Sequence, residues 1–142
     1  VAPARDRLAM VGRLVDGDAR FDTNAIEIER GGLSYTVDTL SSLSKQQPAA
    51  ELFWLIGADV LRSFAKWREP ARIVELATVV VLQRKGDAPD LSMIPGRPRV
   101  IASRRIDISS TEIRQRVRGG QSIRGFVPDG VAEYIASTRL YR

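Results

Sequence analysis

The chain has 142 residues, 44% hydrophobic and 27% charged, with a net charge of +5 and neither cysteine nor histidine. That size suits a single domain, spanning residues 1–142, that buries a core without staples. The missing residue types exclude a disulfide framework, thiol catalysis, a Ser-His-Asp triad and His-ligated zinc.

In chain order, Leu8, Val11, Leu14 and Val15 recur at helical spacing, and Gly17 is a stop. Ile26 and Ile28 alternate with Glu27 and Glu29, which predicts a strand with one wetter face, broken by Gly31-Gly32. Ser34 then caps a helix that buries Val37, Leu40 and Leu43 and ends at Gln47-Pro48. Leu52–Ile56 is a continuous apolar run closed by Gly57, expected to be a strand buried on both faces. Asp59 caps a short helix with Leu61 and Phe64 inward, and Pro70 opens another with Ile73, Val74 and Leu76 inward. Residues 77–82 form a second buried strand, which the stretch 84–89 turns out of. Residues 86–98, rich in Gly and Pro, are expected to be a mobile loop. Arg99–Ala102 is a weaker strand. Helices are expected over Ser110–Arg118, before Gly119-Gly120, and over Pro128–Thr138, burying Val131, Tyr134 and Ile135.

Buried strands alternating with helices predict an α/β fold with a parallel sheet. Such sheets bind ligands at the carboxyl ends of their strands, near a switch in strand order. The loops 31–39, 57–67 and 103–112 are each expected to follow a strand, and so to meet on one edge of the sheet.

Three stretches are candidate sites. Ser109-Ser110-Thr111-Glu112 has the spacing of a capping box, which needs no ligand. Its extra hydroxyls and Arg114 exceed what a cap requires, and a helix start is a berth for phosphate. Gly31–Thr39 can be a simple turn and cap. Its glycines also permit close backbone approach, and Thr36 with local N–H groups can hold a carboxylate. Asp59 can accept from ribose hydroxyls or serve as an N-cap. Trp67 lies among Lys66, Arg68 and Glu69, a polar setting that suggests a partly exposed ring able to stack on a flat heterocycle, whereas Trp54 belongs to the core. No apolar run approaches the roughly 20 residues a membrane span needs. The start, Val1–Arg5, lacks a signal peptide's apolar core. No basic run interleaved with aromatics suggests nucleic acid. The expected setting is cytoplasmic, without membrane or nucleic-acid partners. A homo-oligomer is left open.

These residues resemble the bacterial nicotinate-nucleotide adenylyltransferases of the nucleotidyltransferase superfamily. The resemblance is carried by Arg7-Leu8-Ala9-Met10, by Gly32–Leu40, and by Ile56-Gly57-Ala58-Asp59 with Trp67. It continues through Ile108–Arg114 and Val127–Val131 with Tyr134-Ile135. Ser34–Thr39 matches a stretch specific to the nicotinate branch, whereas the Ile108–Arg114 pattern is shared more widely. The resemblance implies a Rossmann-like parallel sheet with helices on both faces. It implies that nicotinate mononucleotide attacks the α-phosphate of ATP, giving deamido-NAD and pyrophosphate with Mg²⁺ assisting. Tyr35, Thr36 and nearby backbone would then hold the nicotinate carboxylate, Trp67 would stack on the pyridine ring, and Asp59 would hold ribose or ring-proximal groups. Ser109, Ser110, Thr111 and Arg114 would grip ATP phosphates. The family opens with a strand and a loop bearing Phe-Asp-Pro and His-x-Gly-His, and nothing in this chain matches either. No catalytic residue and no protein-held metal site are therefore assigned. The chain lacks an initiator Met, and an omitted upstream segment carrying that strand and loop is expected. The alternatives are another nucleotidyltransferase, such as one adenylylating phosphopantetheine, and a catalytically inactive nucleotide-binding module.

Overall fold

The computed structural model describes residues 1–84, 89–104 and 106–142, with the side chain of Arg84 left aside. The expected turn at 84–89 and the start of the expected loop at 86–98 fall on residues outside the described set. The chain divides into two compact units, residues 31–106 and residues 1–30 with 107–142.

The first unit is built on a parallel sheet of three strands in the order β1 (Phe53–Gly57), β2 (Thr78–Arg84) and β3 (Arg99–Ser103). In register, Gly57 lies beside Leu82 and Leu82 beside Ile101, so the carboxyl ends of β1 and β3 share one edge. The strand order shows no reversal among the described residues, so the expected switch point is not part of this sheet. Helices α3 (Thr36–Gln46), α4 (Leu61–Phe64) and α5 (Pro70–Leu76) supply Val37, Leu40, Leu61, Phe64 and Ile73 to a core that also takes Ile56, Val79 and Val81 from the sheet. Phe64, Ile73 and Val81 are fully buried there. Alternation along a strand sends neighbouring side chains to opposite faces. Phe53 and Leu55 accordingly sit on the other face, 42% and 57% exposed, so β1 is not buried on both faces as its apolar run suggested.

The second unit is helical. α1 (Ala4–Val15) packs against α7 (Asp129–Ser137), and α6 (Ser110–Arg118) adds Ile113 and Val117 around Ile123, Val131 and Ile135. Tyr134 donates to Asp6 Oδ1 at 2.7 Å, and the Arg13 guanidinium lies 4.3 Å from the Tyr134 ring centre. Residues Ile26–Arg30 form a short helix, α2, where the alternation predicted a strand. The Asn24 carboxamide accepts from the Ile26 N–H at 2.9 Å, and the amides of Ile28 and Glu29 bond to the Ala25 carbonyl. This local capping turns the segment helical. A strand needs a neighbour, and the strands of the sheet all belong to the other unit. The loop 31–39 consequently follows a helix, and the expected meeting of three post-strand loops does not hold for it. Among the described residues no helix is long and apolar enough to cross a membrane.

Candidate functional site

In the helical unit, Ser109 is the N-cap of α6, with extended backbone, and its hydroxyl accepts from the Glu112 N–H at 3.1 Å. This cap satisfies one of the orphan donors of the first turn and leaves others facing outward. Ser110 and Thr111 follow it, both exposed. Arg114 leans back one turn and donates to the Thr111 hydroxyl at 3.2 Å. This direction follows from the tilt of helical side chains toward the N-terminus. Ser110, Arg114 and Arg7 line a cleft of about 310 Å³ together with Met10, Ile113, Val127 and Val131. Arg7 also donates to the Ala2 carbonyl at 2.8 Å. Two guanidinium groups, the Ser110 hydroxyl and the start of α6 thus form the polar part of an otherwise mainly apolar cleft. That arrangement suits a phosphate, through charge-assisted hydrogen bonds and the helix dipole. Arg7 was not singled out as a site residue from sequence, because its partners in the cleft lie more than a hundred residues along the chain.

In the sheet unit, Tyr35 is the N-cap of α3, not Ser34, and no side chain caps the helix start. The amides of Asp38 and Thr39 bond to the Tyr35 carbonyl, so those of Thr36 and Val37 open the helix ahead of its hydrogen-bond ladder. Such donors are fitted to an anion. Asp59 lies in the 3-10 turn Ala58–Val60 directly after β1, exposed, and it caps no helix. Its carboxylate folds back over Gly57.

Trp67 is partly exposed, as its polar sequence setting suggests, and it also packs on an aromatic cluster. Its ring centroid lies 5.2 Å from that of Trp54 and 6.0 Å from that of Phe64, and Nε1 donates to Ser63 Oγ at 3.2 Å. Trp54 is half-buried in the same aromatic cluster. The indole is therefore held in place by neighbours, a requirement for a stacking platform that loses little entropy on binding. The next residue, Arg68, was missed from sequence. Its guanidinium lies 4.8 Å from the Tyr35 ring centre and 3.4 Å from Asp38 Oδ2, thirty positions back along the chain. No local signal reveals a pairing at that separation. Among the described residues no group of His, Cys, Asp and Glu is placed to hold a metal ion.

Comparison with known proteins now bears on this geometry. The cytidylyltransferase-like family model matches residues 1–116. A relative from Gemmatimonas aurantiaca, named "Probable nicotinate-nucleotide adenylyltransferase", is 44% identical over 98% of this chain and 69% of its own length. A relative of the same name from Thermus thermophilus is 41% identical over 100% of this chain and 75% of its own length. A solved structure, the Plasmodium falciparum nicotinic acid mononucleotide adenylyltransferase complexed with APC, superimposes with a TM-score of 0.75 at 16% identity. It covers 99% of this chain and 77% of the other, and it supports the Rossmann-like α/β fold. The chain belongs to the nicotinate-nucleotide adenylyltransferases, within the cytidylyltransferase-like family.

Proposed function

We propose that the protein transfers the adenylyl group of ATP to nicotinate mononucleotide, giving deamido-NAD and pyrophosphate. Family membership at 44% identity carries this reading. The sheet unit would hold the acceptor nucleotide. The nicotinate carboxylate would meet the first-turn amides of α3 at Thr36, beside Tyr35. Trp67, held by Trp54 and Phe64, would stack on the pyridine ring, and Asp59 would accept from ribose hydroxyls. In the helical unit, Ser109, Ser110, Thr111 and Arg114 would hold ATP phosphates, and Arg7 on the same cleft joins them.

The acceptor phosphate is already a nucleophile, and the reaction forms one P–O bond while breaking another. Positioning and neutralisation of phosphate charge can therefore carry the step without a side-chain base. Mg²⁺ would arrive with ATP. Held largely by the substrate phosphates, it would need few protein ligands. The setting would be cytoplasmic.

The test is an acceptor panel, with the gene product that contains this chain, ATP and Mg²⁺. Deamido-NAD is expected with nicotinate mononucleotide and no product with phosphopantetheine. Turnover of phosphopantetheine, or nucleotide binding without any turnover, would contradict the reading.

A further inference from the structure

We infer that Arg68 is a positioning residue for the acceptor nucleotide, clasping the turn that carries Trp67 onto the start of α3. The inference rests on the reading of Trp67 and Thr36 as acceptor contacts. Its geometry lies wholly within residues 31–106.

The turn between α4 and α5 is an unfavourable piece of backbone. Glu69 has φ +50 and ψ +57, a left-handed conformation held by a non-glycine residue immediately before Pro70. The proline disfavours the right-handed region for Glu69, and the left-handed one costs about 1–2 kcal/mol. Such a turn keeps its shape only where surrounding contacts hold it. Arg68 adds three side-chain contacts to the backbone bonds from Trp67 to Phe64 and from Ile73 to Glu69 at this turn. Its Nη1 is 3.4 Å from Asp38 Oδ2, its Nε is 3.6 Å from Glu69 Oε1, and its guanidinium stands over Tyr35. Asp38 and Tyr35 flank Thr36 and Val37 at the start of α3. Arg68 is bonded in sequence to Trp67. One planar cation therefore ties the ring platform to the helix-start amides. The guanidinium can bond a carboxylate at its edge while its face lies on an aromatic ring, a combination an ammonium does not reproduce.

The side chain is 50% exposed, so its ion pairs are screened by salt and modest in strength. The expected effect is accordingly on affinity rather than on folding. Calorimetric titration of nicotinate mononucleotide into the gene product that contains this chain should show Arg68→Ala binding about five- to tenfold more weakly, with an unchanged thermal midpoint. Arg68→Lys, which keeps the charge but not the plane, should recover part of the loss. Asp38→Asn should weaken binding less than Arg68→Ala and add little on top of it, because both act through one contact. Raising the salt concentration should narrow the gap between the unsubstituted chain and Arg68→Ala.

If the unsubstituted chain binds the nucleotide and Arg68→Ala binds it equally well, the positioning role is overturned while the acceptor reading stands. Fully additive losses in the double variant would likewise overturn the clasp. Failure of the unsubstituted chain to bind would overturn the acceptor reading and the inference with it.

Discussion

The two units of this chain hold their candidate residues by different means. At the start of α6 in the helical unit the arrangement is local. Ser109 bonds to the amide of Glu112, and Arg114 bonds to Thr111, both across one turn of a single helix. In the sheet unit it is assembled from afar. Trp67 rests on Trp54 and Phe64, and Arg68 reaches Asp38. The cores differ in the same sense. One centres on the fully buried Phe64, Ile73 and Val81, the other on Ile123, Val131 and Ile135, each of which keeps a little exposure. Much of a phosphate site can be written into the six residues Ser109–Arg114 because a helix start already supplies donors and a dipole. A platform for a flat ring needs a folded core beneath it.

Core truncation should separate the units most sharply. Phe64→Ala removes a fully buried ring and should cost about 3–5 kcal/mol, whereas Ile135→Ala, at a site that keeps a little exposure, should fall toward the lower end of about 2–5 kcal/mol. Both tryptophans lie in residues 31–106, so tryptophan fluorescence reads that unit alone. Its urea transition should shift further for Phe64→Ala than for Ile135→Ala, and equal shifts would break the contrast.

Smaller effects are expected within the helical unit. Ser109→Ala removes the cap of α6 and should cost about 1 kcal/mol, read by the same urea titration followed through helical circular dichroism. Restoration by Ser109→Asp, another capping residue, would assign the loss to the cap. A weaker, pH-dependent effect belongs to Tyr134. Its hydrogen bond to Asp6 pushes its pKa above the ordinary value of 10.0, helped by burial and by the Asp6 charge, while Arg13 pulls the other way. A raised folded-state pKa means the contribution is complete below the ordinary tyrosine range and is lost as pH climbs through the raised value. Tyr134→Phe should therefore be less stable than the unsubstituted chain near neutrality, and the difference should vanish in strong alkali. A difference independent of pH would remove the hydrogen bond from the account.

What was legible in the sequence follows the same divide. The helix boundaries of α1, α6 and α7, the cap at Ser109 and the buried strand at Val79–Val81 are local patterns of spacing, capping and continuous apolar character, and they were readable. Ile26–Arg30 was misread because two alternating isoleucines fit a strand or a helix equally, and Asn24 decides for the helix. Leu55 was misread because an apolar run does not say which faces will be covered. Arg68 was invisible because its partners are set by the packing of α3 beside the turn before α5. Thr36, Asp59, Trp67, Ser109–Thr111 and Arg114 are legible as candidates from local residue chemistry, and Tyr35 through the resemblance, but the aromatic cluster beneath Trp67 is not.

The most direct test of the division of labour is paired titration of Trp67→Ala and Arg114→Ala with nicotinate mononucleotide and with ATP. Trp67→Ala should lose about tenfold in affinity for nicotinate mononucleotide and keep that for ATP, as expected of one lost stacking contact. Arg114→Ala should show the converse, losing a charge-assisted bond to phosphate. Equal losses of both ligands in either variant, or no loss in both, would contradict the assignment of the acceptor to residues 31–106 and of ATP phosphates to α6.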